Sequence, residues 1–210
     1  EDVFKELTNA QKTDFIFFIA SSFINRFKDQ ENTKRSIDTS KINFATAKPV
    51  EIHELIANYF EQLLEKENYY IHHFTIKKGS NYYGLIFGSS HTYGMEKFLK
   101  VCWKKDELAG ESNENKYCDY EKGTLFYNPE ESNKLEVVKK EIIEKVLTGK
   151  ITDNISGLKY ALRRRCLPKV FTKAIVELEK DKKIKRIGNV NNQSTRIHKI
   201  PQYTIEVGSE

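Results

Sequence analysis

Three histidines stand where they could do chemistry. His72 and His73 are adjacent in the β-prone run Tyr69–Ile76, and His91 follows a second such run, Tyr82–Ser89, beside Ser89 and Ser90. An imidazole is the usual general base near neutral pH and a common metal ligand. Neighbouring residues on a strand point to opposite faces, so His72 and His73 cannot grip one ion together. No acidic partner for His91 emerges from its spacing, which leaves it a structural or helix-capping part. The cysteines agree: Cys102, Cys118 and Cys166 are few, odd in number and widely spaced, with no Cys-x-x-Cys pair. No metal site and no disulfide framework is expected, and Cys102 and Cys166, in apolar helical surroundings, read as core residues. Ser21-Ser22 and Asn25-Arg26 follow the apolar run Phe15–Ala20, at a strand end where open α/β sheets bind ligands. Arg26 would meet an anionic substrate there or, the commoner case, an acid of the fold. These residues do not add up to a catalytic set, and no catalytic residue is expected.

A second kind of chemistry is electrostatic. The chain has a net charge of +5. Lys159–Lys199 holds thirteen Lys/Arg against three Asp/Glu, roughly +10, whereas Glu1–Leu158 comes to roughly −3. A local excess of this size points to a polyanion. Candidate nucleic-acid contacts are Arg163, Arg164 and Arg165 in one run, Lys169, Thr172 and Lys173 on one side of the helix that follows, and Arg186, Arg196, His198 and Lys199 on a hairpin. DNA is the expected partner. A solvated basic surface, or a winged helix used for dimerisation, accounts for the same charge. The outward helix residues include no Asn, Gln or Arg, so no bidentate base contact is indicated.

The elements that must position these residues follow from periodicity. Asp2–Asn9 reads as a helix. Phe15–Ala20 is a continuous apolar run, the pattern of a strand buried on both faces of a parallel sheet. A helix opens at Phe23. Lys28–Thr46 is polar and reads as a loop. A helix follows Pro49, with Ile52, Leu55, Ile56, Tyr59, Phe60, Leu63 and Leu64 at 3.6 spacing. Tyr69–Ile76 and Tyr82–Ser89, joined through Gly79-Ser80, signal a hairpin, and Ser90 to Lys105 a helix. Asp106–Asn133 is acidic and polar, a boundary. After it come three helices, Leu135–Leu147, Ser156–Arg165 and one opened by Pro168, then strands Ile184–Ile187 and Tyr203–Val207. That order is the outline of a winged helix. The expected organisation is therefore an α/β unit over residues 1–105, a linker at 106–134, and a small α+β winged-helix domain at 135–207.

At Phe15–Phe27 and Tyr82–Trp103 the sequence resembles the C-terminal half of the three-Cys-motif partner (TcmP) family. The apolar strand ending in Asn25-Arg26-Phe27, the run from Tyr83 to His91 with Gly94 just after, and Gly123-Thr124-Leu125-Phe126 carry the resemblance. The cysteines of the family name belong to its partner protein; those here are coincidental. The resemblance implies a bacterial protein whose fold is that of class I S-adenosylmethionine-dependent methyltransferases; the cytoplasmic location expected here follows from the few, unpaired cysteines, for which reduced cytosolic thiols are the default. Phe15–Ala20 would be a late strand of the sheet, Tyr69–Ile76 and Tyr82–Ser89 its antiparallel last pair, and Ser90–Lys105 the helix after it. The glycine-rich turn and the acidic residue that would hold the cofactor are absent and would lie upstream of residue 1. No cofactor is expected on this chain, and S-adenosylmethionine only on a full-length parent.

The chain opens Glu-Asp-Val, with no initiator Met and no basic-then-apolar leader. It is expected to begin inside a longer protein. Phe15–Ala20, even extended to Ile24, is too short to span a bilayer. Two functions are consistent with these features. One is a nucleic-acid-binding or substrate-positioning winged helix attached to part of a methyltransferase. The other is a non-enzymatic protein-interaction or DNA-binding regulatory protein, and a missing N-terminal half would itself be a partner.

Overall fold

The computed structural model describes residues 2–10, 13–44, 47–65, 69–114, 134–189 and 198–208. The chain is mixed α/β and divides into two compact units, Glu1–Lys116 and Tyr117–Glu210.

Unit 1 runs α1 (Asp2–Asn9), β1 (Phe15–Ala20), α2 (Ser21–Phe27), α3 (Glu31–Ser36), a 3-10 turn at Thr39–Lys41, α4 (Ile52–Gln62), β2 (Tyr70–Lys78), β3 (Asn81–Ser89) and α5 (Thr92–Lys105). The strands form a sheet in the order β1-β3-β2, with β3 central and antiparallel to both neighbours. α4 covers one face. Its Ile52, Ile56 and Phe60 pack with Phe4, Phe15, Ile71 and Ile86, and Phe4 stacks on Phe60 at 4.7 Å. Gly84 on β3 permits this approach: a Cβ there would lie 2.1 Å from the His53 ring of α4. α5 packs on the other face, where Phe98 stacks on Phe87 at 4.6 Å and Leu99, Met95 and Cys102 are buried.

Three expectations are corrected here. β1 is not a strand of a parallel sheet buried on both faces. It pairs antiparallel with β3, and Ile16 and Phe18 remain 58% and 64% exposed. A run of aromatic and β-branched residues fits either pattern, and only the pairing decides. The polar stretch expected as a loop contains α3 and the 3-10 turn. Asp38 caps that turn by accepting from Ser40 N at 3.2 Å, and Ile37, Ile42 and Phe44 anchor it in the core. The expected linker starts too early. Residues 106–114 fold onto the outer edge of β2, with Thr75 N donating to Glu111 O at 2.8 Å and Asn113 N to Thr75 O at 3.1 Å. The Asp106 carboxylate holds that loop by accepting from the backbone N–H of Leu108, Ala109, Glu111 and Ser112, at 3.0 to 3.3 Å. The rest of the linker, with Cys118, Gly123 and Leu125-Phe126-Tyr127, lies outside the described residues.

Unit 2 runs α6 (Lys134–Leu147), α7 (Asn154–Arg163), α8 (Lys169–Lys180), β4 (Ile184–Gly188) and β5 (Tyr203–Val207). Asp153 caps α7 in a reciprocal capping box with Ser156, accepting from Ile155 N at 2.7 Å and Ser156 N at 2.8 Å. Val138, Ile142 and Val146 of α6 share one core with Leu158 and Leu162 of α7 and with Phe171, Ile175 and Leu178 of α8. α7 meets α8 closely at Gly157, where a Cβ would fall 2.2 Å from the Phe171 ring. β4 and β5 pair antiparallel, and the connection between α6 and α7 adds to them: Ile205 N donates to Thr152 O at 2.8 Å, and Asp153 pairs with Thr204. The sequence pattern gave no sign of this third pairing. The hairpin tip, residues 190–197, lies outside the described residues.

Candidate nucleic-acid interface

The basic residues of unit 2 fall into three groups. The first is exposed. Lys169, Thr172 and Lys173 lie on the outward side of α8, opposite the buried Val170, Phe171, Ala174, Ile175 and Leu178. Arg163 is exposed at the end of α7, and Lys199 in the turn before β5. Lys180, Lys182, Lys183 and Lys185 extend the positive surface from the end of α8 into β4 and are exposed as well. They were not singled out in the sequence, although the charge count contained them.

The second group is engaged within the unit. Arg164 forks onto the carboxylate of Glu141 on α6, donating from Nε at 2.8 Å and from Nη2 at 2.8 Å. Tyr160 OH donates to the same carboxylate at 2.8 Å. Burial first, and that carboxylate second, push the Tyr160 phenol up to about 12. Arg186 donates to Glu179 at 3.1 and 3.2 Å and lies over the Tyr203 ring, 5.5 Å from its centroid. The hydrogen bond from Arg186 holds the Glu179 carboxyl below its ordinary value, and Glu179 raises Arg186 in return. These two arginines tie α7 to α6 and β4 to α8.

The third group is covered. Arg165 is only 8% exposed, in the left-handed region at φ 57°, and His198 is half-buried. A buried guanidinium cannot reach a phosphate without rearranging its turn. Arg196 lies outside the described residues. Among the described residues, six of the expected contacts are exposed, Arg163, Arg164, Lys169, Thr172, Lys173 and Lys199, and of these Arg164 is engaged with Glu141.

In unit 1 the histidines separate as the strand alternation requires. His91 caps α5, its Nδ1 accepting from Tyr93 N at 3.1 Å. His72 is buried with Nε2 2.9 Å from Gly110 O and its ring edge-on to Phe98. His73 is also buried, within reach of Glu54 on α4 and Glu111 in the loop after α5. Spacings of 19 and 38 residues concealed that grouping. Ser21 OH donates to Tyr82 O at 3.1 Å, a structural role, and Arg26 is exposed at the end of α2. Cys102 and Cys166 are buried thiols outside any disulfide. No helix among the described residues is long and apolar enough to cross a membrane.

Comparison with protein-family models, with curated proteins and with solved structures returns no match for this chain.

Proposed function

We propose that unit 2 is a winged-helix module that binds duplex DNA. The observation that carries this reading is the outward side of α8. It presents Lys169, Thr172 and Lys173 from the second helix of a helix–turn–helix, with the β4–β5 hairpin following directly. In such a module the second helix enters the major groove with its N-terminal residues against base edges. All three of these residues lie in the first turns of α8. Arg163 and Lys199, with the lysines from Lys180 to Lys185, supply phosphate contacts whose counterion release dominates affinity.

Unit 1 is, on this proposal, the C-terminal part of a methyltransferase-like sheet. In support, β1 stands beside an antiparallel hairpin and a following helix, in the chain order that the resemblance implies. β1 is an edge strand, whose outer backbone groups suit continuation by further strands, and its exposed Ile16 and Phe18 suit cover by a further layer. On this reading β1 is a late strand, so the turn after it, Ala20-Ser21 with the Ser21 hydroxyl donating to Tyr82 O, is not the glycine-rich turn that would hold S-adenosylmethionine. The winged helix would serve to present a substrate or partner to a site built elsewhere.

A second reading, docking of a protein on the same helix, is favoured by Val176, which is 50% exposed on the outward side of α8.

Fluorescence anisotropy with a labelled duplex at two salt concentrations tests the first reading. Binding is expected to weaken steeply with salt and to fall in the Arg163→Ala, Lys169→Ala, Lys173→Ala triple variant. Wild-type-like binding by that variant would remove the interface. Calorimetry with S-adenosylmethionine should show no isotherm.

A further inference from the structure

We propose that Glu54, His73 and Glu111 form a binding site for one divalent transition-metal ion of the Zn2+ class. The three come from separate elements: the first turn of α4, the middle of β2, and the loop that returns to β2 after α5. One donor atom from each lies within 4.8 Å of the other two. His73 is fully buried, Glu111 is 5% exposed, and Glu54 is half-buried, so the grouping opens to solvent on the α4 side.

The donor set selects the ion. One imidazole nitrogen with two carboxylates is a borderline set, suited to Zn2+, Co2+ or Mn2+; Mg2+ and Ca2+ take oxygen ligands alone. Zn–N and Zn–O bonds of about 2.0–2.2 Å in a tetrahedron separate the ligand atoms by about 3.4 Å. The donor atoms, within 4.8 Å of one another, have at most about 1.4 Å to close. Three protein ligands leave a fourth position for water, the arrangement of an open site. Two carboxylates and a neutral imidazole carry −2 among themselves, which a divalent ion neutralises where burial makes charge costly.

The backbone around the trio is fixed by one residue. Thr75, two positions along β2 from His73, donates its N–H to Glu111 O at 2.8 Å. Its hydroxyl lies 3.2 Å from His53 Nδ1, and His53 Nε2 lies 3.1 Å from Ile19 O, which locates α4 next to Glu54. Asp106 accepts from Glu111 N at 3.0 Å. All three ligand backbones are thereby referenced to the same strand, the outer support that a metal site requires. The competing account is a purely structural cluster; all three residues already engage neighbours.

The full chain, stripped with a chelator and dialysed, is titrated with ZnCl2, CoCl2 and MgCl2 by calorimetry. The expected result is one equivalent of Zn2+ bound at micromolar Kd or tighter, Co2+ giving visible absorption bands of a low-coordinate nitrogen/oxygen site, and no Mg2+ isotherm. Glu54→Gln, the half-exposed position least able to disturb folding, should weaken Zn2+ at least tenfold. Glu111→Gln should weaken it further, and His91→Asn should leave it unchanged. Absence of saturable Zn2+ binding overturns the site and leaves the structural cluster. Tight one-to-one binding that survives both glutamine variants overturns it too.

Discussion

The two units put their polar groups in opposite places. Among the described residues, unit 1 buries His53, His72, His73, Glu96, Asp106 and Glu111, whereas unit 2 buries Asn154 and Arg165 and spreads its other charges over the surface. Interior polar groups cost free energy unless each is hydrogen-bonded, so they demand positioned partners. Unit 1 supplies them: Gly110 O for His72, Thr75 and Ile19 O for His53, and four backbone N–H groups for Asp106. Such groups act over a few ångströms on whatever sits among them. Surface cations need no such scaffold and act together over about a Debye length, roughly 8–10 Å in physiological salt. The first arrangement suits a small ligand held inside, the second a polyanion laid outside.

The largest effect that can break this contrast is at Asp106. Asp106→Ala leaves four backbone N–H groups of the 106–114 loop without their acceptor and should cost about 3 kcal/mol or more, read by urea unfolding. A cost near zero would mean that the buried polar scaffold of unit 1 holds nothing in place. Next comes the triple variant of Arg163, Lys169 and Lys173, all exposed. Duplex affinity should fall on the order of 100-fold and the salt slope by about 3, with stability altered by less than about 0.5 kcal/mol. If unfolding shifts as much as binding does, these are structural residues and the contrast fails.

Gly157→Ala tests the interior of unit 2, where the contacts are apolar. The new methyl would meet the Phe171 ring and should cost about 1–3 kcal/mol by thermal denaturation. The smallest effects are those of pH. Tyr69 and Tyr160, one in each unit, are both raised to about 12, chiefly by burial. A phenol whose folded value lies above its ordinary 10 stabilises the fold fully below that pH and loses the contribution as pH rises through about 12. Tyr69→Phe should flatten the alkaline loss of stability in unit 1 and Tyr160→Phe that in unit 2. The acid side runs the other way. Glu179 is held below its ordinary value by Arg186, so its contribution is present above the usual carboxylate range and fades as pH falls through the lowered value. Being a part-buried pair whose carboxylate stays largely hydrated, it should be worth about 1 kcal/mol, and Glu179→Gln should remove that contribution at neutral pH together with the acid-side dependence.

Unit 2 was the more legible of the two. Its helices show the apolar spacing of Val138, Ile142 and Val146 or of Phe171, Ile175 and Leu178, and both strands fall where the sequence places them. Local signals were enough because each helix contributes one stripe to one core. What the pattern could not tell was which arginines are available. Arg163, Arg164 and Arg165 are indistinguishable in sequence, yet two are exposed, one of them forked onto Glu141, and the third is buried. Successive helical positions differ by about 100° in direction, and Arg165 leaves the helix altogether at φ 57°.

In unit 1 the strands, and the helices other than α3 and the 3-10 turn, were again visible, but not their arrangement. The run Phe15–Ala20 determined a strand; only pairing with β3 made it antiparallel with one face uncovered. Residues 106–114 look like a linker because they are polar and contain Gly110; the four bonds to Asp106 shape the loop, and its bonds to Thr75 and Lys77 bind it to β2. The sequence by itself determined the element types outside Lys28–Thr46, the basic excess of Lys159–Lys199, and the opposed faces of His72 and His73. The meeting of Glu54, His73 and Glu111 was decided by the tertiary structure alone, because side chains 19 and 38 residues apart share no local period and converge only when α4 and the returning loop close on the same strand.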